Sequence, residues 1–251
     1  MVLKAKKYFG QHFLINEAVA NDIAESLDFN ICKNIIEIGP GKGVLTKYLI
    51  QKNANIKLIE IDIDCVNIIK DKFKHTEVIH NDFLQIKLSD LSFKKYSIIG
   101  NFPYNISSQI LFKVLENRNS IVELVGMFQK EVADRICSKP KSKKYGILSV
   151  LIQAYFNCEN LFNVDPDNFE PIPKVNSSVI KLSRNQIKEL GCDHNHFIKI
   201  VKGAFSQRRK KLKNALKNFT NLDHLKLKHL MSKRAEELNV SDFIKLTNII
   251  S

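Results

Sequence analysis

Residues 34–43 read NIIEIGPGKG, and the predicted fold class follows from this stretch. Its first five residues are mostly β-branched or apolar, which is typical of a short buried strand. The run stops at glycines spaced as GxGxG, and residues 43–51 then have the spacing of a helix. Glycine lets a backbone turn tightly and come close to a ligand. The stretch therefore predicts a strand, a ligand-binding turn and a helix, although a glycine-rich loop alone is as typical of an ordinary turn.

Strand and helix patterns alternate on both sides of this loop. Short apolar runs end at glycine or polar residues, and stretches with helical spacing lie between them. The predicted strands are residues 34–38, 56–61, 77–80, 96–100, 121–129 and 177–182, and the predicted helices are 17–27, 43–51, 65–73, 107–116 and 130–136. The alternation predicts an α/β fold with a parallel sheet covered by helices on both faces.

The pattern changes near residue 184. Beyond it, strand signals stop, and segments 196–204, 207–217, 222–231 and 235–238 have helical spacing. We therefore expect two domains, an α/β domain over residues 1–184 and a small all-helical domain over residues 185–251.

Charge and cysteine usage narrow the class of protein. Thirty-nine Lys and Arg against 26 Asp and Glu give a formal net charge of +13, which favours a nucleic acid or an anionic membrane surface as partner. A basic protein without such a partner is the plain alternative. The five cysteines are scattered without a CxxC pair, so neither a disulfide framework nor a zinc site is predicted, and we expect no metal.

The apolar segments are short. None approaches the roughly 20 residues of a membrane span, and residues 1–9, MVLKAKKYF, lack the apolar centre of a secretory signal. We expect a cytoplasmic protein without a membrane partner. We also expect a monomer, because no long apolar helix face is left unexplained.

Acidic residues follow the next two predicted strands. Glu60 ends the second strand, where a carboxylate can accept both ribose hydroxyls of an adenosine. Asp82, in Asn81-Asp82-Phe83, ends the third, where it can hold an adenine amine while the ring covers the base. Taken singly, each is as typical of a strand-end cap or a solvated carboxylate. Together with the glycine loop they predict a nucleoside pocket.

Asn101-Phe102-Pro103-Tyr104 follows the fourth predicted strand. The N6 amine of adenine is a poor nucleophile, because its lone pair is delocalised into the ring. The Asn101 side-chain oxygen and a main-chain carbonyl at Phe102 or Pro103 can accept hydrogen bonds from that amine and free the lone pair. Tyr104 can stack on the base, and Phe169 can close its other face or instead plug the core. The alternative for the tetrapeptide is a proline turn with a packed tyrosine.

Basic residues concentrate in two clusters. One lies on the predicted helix 207–217 and includes Arg208, Arg209, Lys210 and Lys211, and the other is the lysine-rich loop 139–144. A charge run is commonly a solvated face. In a protein that acts on a nucleic-acid base, contact with phosphates is the better interpretation, and it predicts binding that weakens with salt.

Several motifs resemble one known family, the ribosomal RNA adenine dimethyltransferases, and in particular its bacterial small-subunit branch. They run over nearly the whole chain: residues 9–14 (FGQHFL), 37–43 (EIGPGKG), Glu60, Asn81-Asp82, 101–107 (NFPYNIS), 169–179 (FEPIPKVNSSV) and 204–212 (AFSQRRKKL). This chain departs from the common family pattern at Lys42 and at Phe102, where leucine is usual. We expect Phe102 to repack the loop without loss of activity.

The resemblance implies a Rossmann-like class I methyltransferase fold, with a mostly parallel seven-stranded sheet and a small all-helical C-terminal domain that contacts RNA. It implies S-adenosylmethionine as methyl donor and no metal. The residues that it assigns to this cofactor are His12, Leu14, Gly39, Gly41, Glu60, Asp82 and Asn101. Its reaction is transfer of four methyl groups to N6 of two adjacent adenines near the 3′ end of 16S rRNA, in the small subunit or its precursor.

Three alternatives stay open at this point. A resistance-type 23S rRNA adenine-N6 methyltransferase shares the cofactor loop and a similar Asn-x-Pro-Tyr, but residues 169–175 and 204–212 favour the small-subunit enzyme. A DNA adenine methyltransferase is disfavoured, because its motif carries two prolines. A non-catalytic assembly factor on the same fold would be marked by degenerate glycines or loss of Asn101 or Tyr104, all of which are present.

Overall fold

The computed structural model describes residues 5–219 and 224–250 of the 251. Its contacts divide the chain into two compact units, one of residues 1–133 and 159–184 and the other of residues 134–158 and 185–251. The division differs from the predicted domains in one respect, because residues 134–158 group with the C-terminal helices. As functional units, the domains 1–184 and 185–251 stay a prediction.

The first unit contains most of the strands. Its strands are β1 Phe13–Leu14, β2 Asn34–Ile38, β3 Asn55–Glu60, β4 Glu77–His80, β5 Tyr96–Asn101 and β6 Ile121–Gln129, then the end of β7 Phe156–Val164, followed by β8 Phe169–Glu170 and β9 Ser177–Arg184. Its helices are α1 Glu17–Glu25, α2 Thr46–Leu49, α3 Ile63–Lys72, α4 Ser107–Glu116 and the start of α5 Lys130–Cys137. Short 3₁₀ turns lie at Lys7–Phe9, Leu88–Leu91, Tyr104–Ile106 and Pro166–Asn168.

Seven strands form one sheet in the order β4-β3-β2-β5-β6-β9-β7. The ladders from β4 to β6 are parallel, and β9 runs antiparallel to β6. The predicted α/β fold with a mostly parallel seven-stranded sheet is confirmed. Because β3 and β4 lie on one side of β2 while β5 and β6 lie on the other, the order of connection reverses between β2 and β5, where ligands of such sheets bind.

Buried apolar side chains explain why these strands form. Ile35 and Ile36 of β2 and Ile98 and Ile99 of β5 have no exposed surface, as expected for central parallel strands covered on both faces. Capping side chains explain where helices begin: Asn16 accepts hydrogen bonds from the first turn of α1, and Asp62 does the same for α3.

The seventh sheet strand, β7, escaped the sequence analysis. Its sequence, FNCENLFNV, has polar residues at four of nine positions without regular alternation, and only its two end residues, Phe156 and Val164, are buried. An edge strand of this kind lacks the apolar alternation by which strands are recognised. The two-residue strands β1 and β8 were missed as well, because they are too short to carry a pattern.

The second unit is helical. Its elements are the end of α5, α6 Ile147–Gln153, α7 His194–Ser206, α8 Leu212–Ala215, α9 His224–Met231, a 3₁₀ turn Ala235–Glu237 and α10 Val240–Ile249. Phe197, Ile200 and Phe243 are fully buried in it. Helices α6 and α10 were not predicted, and residues 222–223 of one predicted helix lie outside the described part. Among the described residues, no helix is both long and apolar enough to cross a membrane.

The predicted helix 207–217 is wrong over its first half. Residues 207–210 form a turn, Lys211 forms a bridge with Arg234, and only Leu212–Ala215 is helical. The main-chain N–H of Leu212 donates to Lys233, 2.8 Å away. The run of basic residues is therefore presented on a turn and not along one helix face.

Candidate active site

A pocket of about 250 Å³ lies at the carboxyl ends of β2 to β5. The N-terminal segment 8–14 forms one of its walls. The structure brings together here every predicted catalytic or cofactor residue except Phe169. Those that line the pocket are His12, Leu14, Gly39, Gly41, Glu60, Asp82, Asn101 and Tyr104.

The glycine loop requires its glycines for conformation. Gly39 and Gly41 have φ of +65° and +56°, in the left-handed region that side chains rarely adopt. A Cβ built on Gly39 would meet no atom within 4 Å, whereas one on Gly41 would lie 3.1 Å from the Phe13 ring. The loop is therefore shaped by backbone geometry, and the open space beside Gly39 allows a ligand to approach it closely.

Glu60 ties this loop to the end of β3. One carboxylate oxygen accepts a hydrogen bond from the N–H of Gly41 at 3.0 Å, and the other accepts from the N–H of Asp62 at 2.9 Å. Burial raises the pKa of Glu60 above its usual range, and the two N–H donors oppose the shift. Each oxygen keeps a second lone pair, so that the carboxylate can still accept hydroxyl hydrogen bonds from a ligand.

Glu37, in β2 just before the glycine loop, has a role that could not be predicted from the sequence. Its side chain is buried beneath the loop and accepts a hydrogen bond from the Thr46 hydroxyl at 2.8 Å. Burial, with a smaller contribution from the charge of Glu60, raises the pKa of Glu37 to about 8. A proton on Glu37 spares the site a second buried negative charge next to Glu60.

Asp82 follows β4 and shapes the next loop. Its Oδ1 accepts a hydrogen bond from the N–H of Leu84 at 2.8 Å, and Phe83 beside it is buried in the pocket wall. Lys113 lies over the Phe83 ring, 5.3 Å from its centroid, and donates to the carbonyl of Leu84. This arrangement fixes the Phe83 ring, which is the aromatic surface expected beside a nucleoside base.

Asn101 is oriented by the N-terminal segment. Its Nδ2 donates to the carbonyl of His12 at 2.9 Å, which leaves Oδ1 as the remaining acceptor of the amide. The His12 ring stacks on Tyr104 with centroids 5.5 Å apart, and His12 Nδ1 donates to the carbonyl of Pro171 at 2.7 Å. The Tyr104 hydroxyl bonds to Ser177 at 2.6 Å. The side chains at the end of β5 are thus held by the N-terminal segment and by β9, and Pro171 in turn holds His12.

An ion-pair cluster fastens the N-terminal segment to the sheet. Lys6 pairs with Asp62 at 2.5 Å and with Asp64 at 2.7 Å, and Gln11 donates to Asp62 at 2.8 Å. Burial acts to raise the pKa of Asp62, but the hydrogen bonds from Lys6 and Gln11 outweigh it and hold that pKa below its usual range. This cluster could not be predicted from the sequence, because its members are up to 58 residues apart and resemble ordinary surface charges.

Phe169 corrects the sequence analysis. Its side chain is 1% exposed and packs in the core with Leu14, Val164 and Val179. The pairing of β1 with β8 places Leu14 opposite Phe169, which turns the ring inward. Phe169 therefore packs in the core, and the predicted role as second wall for a base is not supported.

Lys42, which with Phe102 departs from the common family pattern, lies over the Phe13 ring and pairs with Glu170 at 3.3 Å.

The two basic clusters meet within the second unit. The Arg208 guanidinium pairs with Glu236 at 2.8 Å and donates to the carbonyls of Ser142 and Lys143 in the lysine-rich loop. Arg208 is thus half-buried and structural, while Arg209 and its two lysine neighbours, Lys210 and Lys211, are exposed. Clusters that are some 65 residues apart in sequence form one basic surface.

No group of three or more His, Cys, Asp or Glu side chains suited to a metal ion occurs in the described part of the chain.

Comparison with known proteins identifies the family. The sequence profile described as ribosomal RNA adenine dimethylase matches residues 2–251. Ribosomal RNA small subunit methyltransferase A of Cytophaga hutchinsonii is 48% identical over 254 residues, which cover 99% of this chain and 98% of that protein. The crystal structure of a dimethyladenosine transferase from Plasmodium falciparum is similar with a TM-score of 0.83 and 25% identity, over 95% of this chain and 99% of that one.

The 23S rRNA methyltransferase ErmE shares the fold, with a TM-score of 0.73 and 22% identity over 95% of this chain and 99% of that one. The predicted class I methyltransferase fold is confirmed by these neighbours. Because the profile spans nearly the whole sequence and the relatives match it from end to end, the chain belongs to the ribosomal RNA adenine dimethylase family.

Proposed function

We propose that this protein transfers methyl groups from S-adenosylmethionine to N6 of two adjacent adenines near the 3′ end of 16S rRNA, forming N6,N6-dimethyladenosine. Family membership supports S-adenosylmethionine-dependent methylation of rRNA adenine. The name of the Cytophaga relative supports the small subunit as substrate. The single observation that carries the chemistry is the hydrogen bond that the Asn101 side-chain nitrogen donates to the His12 carbonyl. This bond leaves the side-chain oxygen of Asn101 to accept from a substrate amine.

The hydrogen bond to His12 gives Asn101 its chemical role. With Nδ2 committed, Oδ1 is a preoriented acceptor on the wall of the pocket. Together with a main-chain carbonyl of Phe102 or Pro103, it can accept both hydrogens of an N6 amine and pull the nitrogen toward tetrahedral geometry. The lone pair is then available for attack. Acceptors fixed before the reaction lower the barrier because they need no reorganisation as charge grows on nitrogen.

Tyr104 is suited to hold the base. Its ring is half-buried, with one side against His12 and its hydroxyl bonded to Ser177. Burial raises the pKa of the Tyr104 phenol, so it stays neutral at physiological pH. Because His12 contacts the Tyr104 ring and Ser177 holds its hydroxyl, the ring offers a rigid stacking surface. Stacking of a base on such a ring contributes about 1–3 kcal/mol to binding. The target base must leave its helix or be exposed already to reach it.

The residues on the other side of the pocket fit S-adenosylmethionine. Open space beside Gly39 admits a ligand against the loop, Glu60 has acceptors for ribose hydroxyls, and Asp82 with Phe83 suits an adenine. When bound, S-adenosylmethionine supplies an electrophilic sulfonium methyl group. We assign no general base, since the methylated amine is acidic enough to release its proton to water.

The basic surface of the second unit supplies candidate phosphate contacts. Arg209, Lys210 and Lys211 are exposed beside the lysine-rich loop 139–144, to which Arg208 is bonded. Exposed cations on a turn can reach phosphates without loss of internal bonds, while Arg208 maintains the turn. The monomeric state and the cytoplasmic location predicted from the sequence stay predictions.

Radiolabelled S-adenosylmethionine tests the proposal. The protein is incubated with unmethylated small ribosomal subunits, with large subunits and duplex DNA as controls, and the labelled RNA is digested to nucleosides. Labelled N6,N6-dimethyladenosine from small subunits alone is the expected result. Label in the large subunit would favour a 23S enzyme, and tight subunit binding without transfer would favour an assembly factor; either outcome would overturn the proposal.

A further inference from the structure

Two glycines face each other beneath the loop that carries Asn101. Gly100 of β5 and Gly126 of β6 are register partners in the parallel ladder. Neither has a positive φ, unlike the glycines of the cofactor loop. Their backbones could therefore carry a side chain without conformational strain, and the lack of a Cβ must serve to create space.

The Phe102 ring occupies that space and is 1% exposed. One ring edge lies over Gly100, where a Cβ would be 2.7 Å from Cε1. The opposite edge lies over Gly126, where a Cβ would overlap Cε2 and lie 2.8 Å from Cδ2. Phe128, two residues along β6, closes the site with its ring centroid 5.0 Å away. We call the surface formed by Gly100, Gly126 and Phe128 the glycine socket.

The glycine socket holds the loop at Phe102, the residue that follows Asn101 and precedes Pro103. The main-chain N–H of Phe102 donates to the carbonyl of Met127 at 3.2 Å, while its ring is seated on the two glycines. Backbone and side chain of Phe102 are thereby both anchored to β6. Any residue that lifts the ring must also move Asn101 before it or the carbonyls at Phe102 and Pro103.

We propose that Gly126 is a positioning residue for methyl transfer: by leaving room for the Phe102 ring, it sets where the acceptors for the adenine N6 amine lie. The proposal rests on the function proposed above. It also explains how this chain accommodates phenylalanine where the family commonly has leucine, since the larger ring is matched by the missing side chain on β6. Gly126 acts through Phe102 and touches no substrate.

A rescue experiment tests the proposal. The variants are Gly126→Ala, Phe102→Leu and the two combined, compared with wild type in kcat, KM for small subunits, affinity for S-adenosylmethionine and melting temperature. Leucine ends at Cδ, so the contacts of a Cβ at 126 with Cε2 and Cζ disappear in the double variant. The contact with Cδ2 at 2.8 Å then falls on the free end of a flexible side chain, which can shift to relieve it.

Gly126→Ala is expected to lower kcat at least about tenfold, because displacement of reacting groups by about 1 Å costs on the order of 10²-fold. Affinity for S-adenosylmethionine should change by no more than about fivefold, since Gly39, Glu60 and Asp82 lie at or just after the ends of other strands and only the Asn101 contact with His12 is disturbed. The double variant should regain kcat to within about threefold of wild type, together with its melting temperature, as coupled neighbours do. This rescue also tests the proposal if the single variant folds poorly.

Gly100→Ala is the matched control. A Cβ there would lie 2.6 Å from the main-chain oxygen of Ile38, which no change at Phe102 can relieve. Combination with Phe102→Leu should therefore leave its kcat and melting temperature impaired.

The proposal is overturned if Gly126→Ala keeps wild-type kcat, if the double variant recovers its melting temperature but not kcat, or if Gly100→Ala is rescued equally. Failure of the proposed function looks different, because wild type itself would then form no dimethyladenosine.

Discussion

Replacement of Asn101 by alanine separates what this residue does in the ground state from what it does in the transition state. The variant removes two things at once: the Nδ2 donor to the His12 carbonyl at 2.9 Å and the Oδ1 acceptor aimed at the pocket. The first contributes to the order of the N-terminal wall. The second acts only when a substrate amine is present.

The two losses differ in size. An ordinary hydrogen bond contributes about 1 kcal/mol, so loss of the His12 contact should weaken cofactor binding by roughly fivefold. Loss of a preoriented group that stabilises developing charge costs about 2.7–4 kcal/mol, or a factor of about 10² to 10³ in rate. We therefore expect kcat to fall by at least about 10²-fold while the KM for small subunits changes by less than about fivefold.

Single-turnover methyl transfer with labelled S-adenosylmethionine measures the rate, and calorimetric titration measures cofactor affinity. Asn67→Ala is a matched control, since Asn67 is exposed on α3 and lies outside the pocket lining. The reasoning is refuted if Asn101→Ala retains kcat within about tenfold of wild type, because Oδ1 would then not be an acceptor in the transition state.

Three further predictions follow from the buried carboxylates and the basic turn. Glu60→Gln must place an amide NH₂ against the N–H of either Gly41 or Asp62, which loses a hydrogen bond of about 1.5–3 kcal/mol. Calorimetry should then show that affinity for S-adenosylmethionine falls at least about tenfold. Unchanged affinity would contradict the role assigned to Glu60. Glu37 has a pKa of about 8 in the folded state, against 4.5 ordinarily, so the folded protein keeps a proton that the unfolded chain releases and stability falls as pH rises through this interval. Glu37→Gln should remove that loss, with a stability gain on the order of 3 kcal/mol at pH 7 that vanishes near pH 4.5 in urea unfolding; a gain independent of pH would disprove it. Replacement of Arg209, Lys210 and Lys211 by alanine should reduce the slope of log affinity for small subunits against log salt by about one per lost phosphate contact, at unchanged melting temperature; an unchanged slope would place the RNA elsewhere.

The parallel part of the fold could be predicted because its signals are local. Central strands such as Asn34–Ile38 are short apolar runs that end at glycine, and helix α4 was predicted with its observed bounds, Ser107–Glu116. In contrast, β7 is an edge strand in which polar and apolar residues do not alternate regularly, and α6 is a short, nearly continuous apolar run without a helical period. Neither carries a periodic signal, so only tertiary contacts reveal them.

Glu60, Asp82 and Asn101 could be predicted for the same reason, since parallel strands bring their carboxyl ends to one edge. His12 and Leu14 carry no such signal and were assigned only through the family resemblance. The hydrogen bonds of the site could not be predicted. The clamp between Lys6 and Asp62 and the bond from Asn101 to His12 join residues 56 and 89 positions apart. Phe169, an aromatic residue in a loop motif, was expected in the pocket, whereas strand pairing places its ring in the core. Its role in catalysis stays a prediction.

The number of methyl groups transferred to each small subunit distinguishes a small-subunit adenine dimethyltransferase from its alternatives. Unmethylated small subunits are incubated to completion with excess protein and labelled S-adenosylmethionine, and the 3′ fragment of 16S rRNA is analysed by mass spectrometry. The account predicts four methyl groups, as two adjacent N6,N6-dimethyladenosines. A plateau at one or two methyl groups, or label outside this fragment, would contradict it.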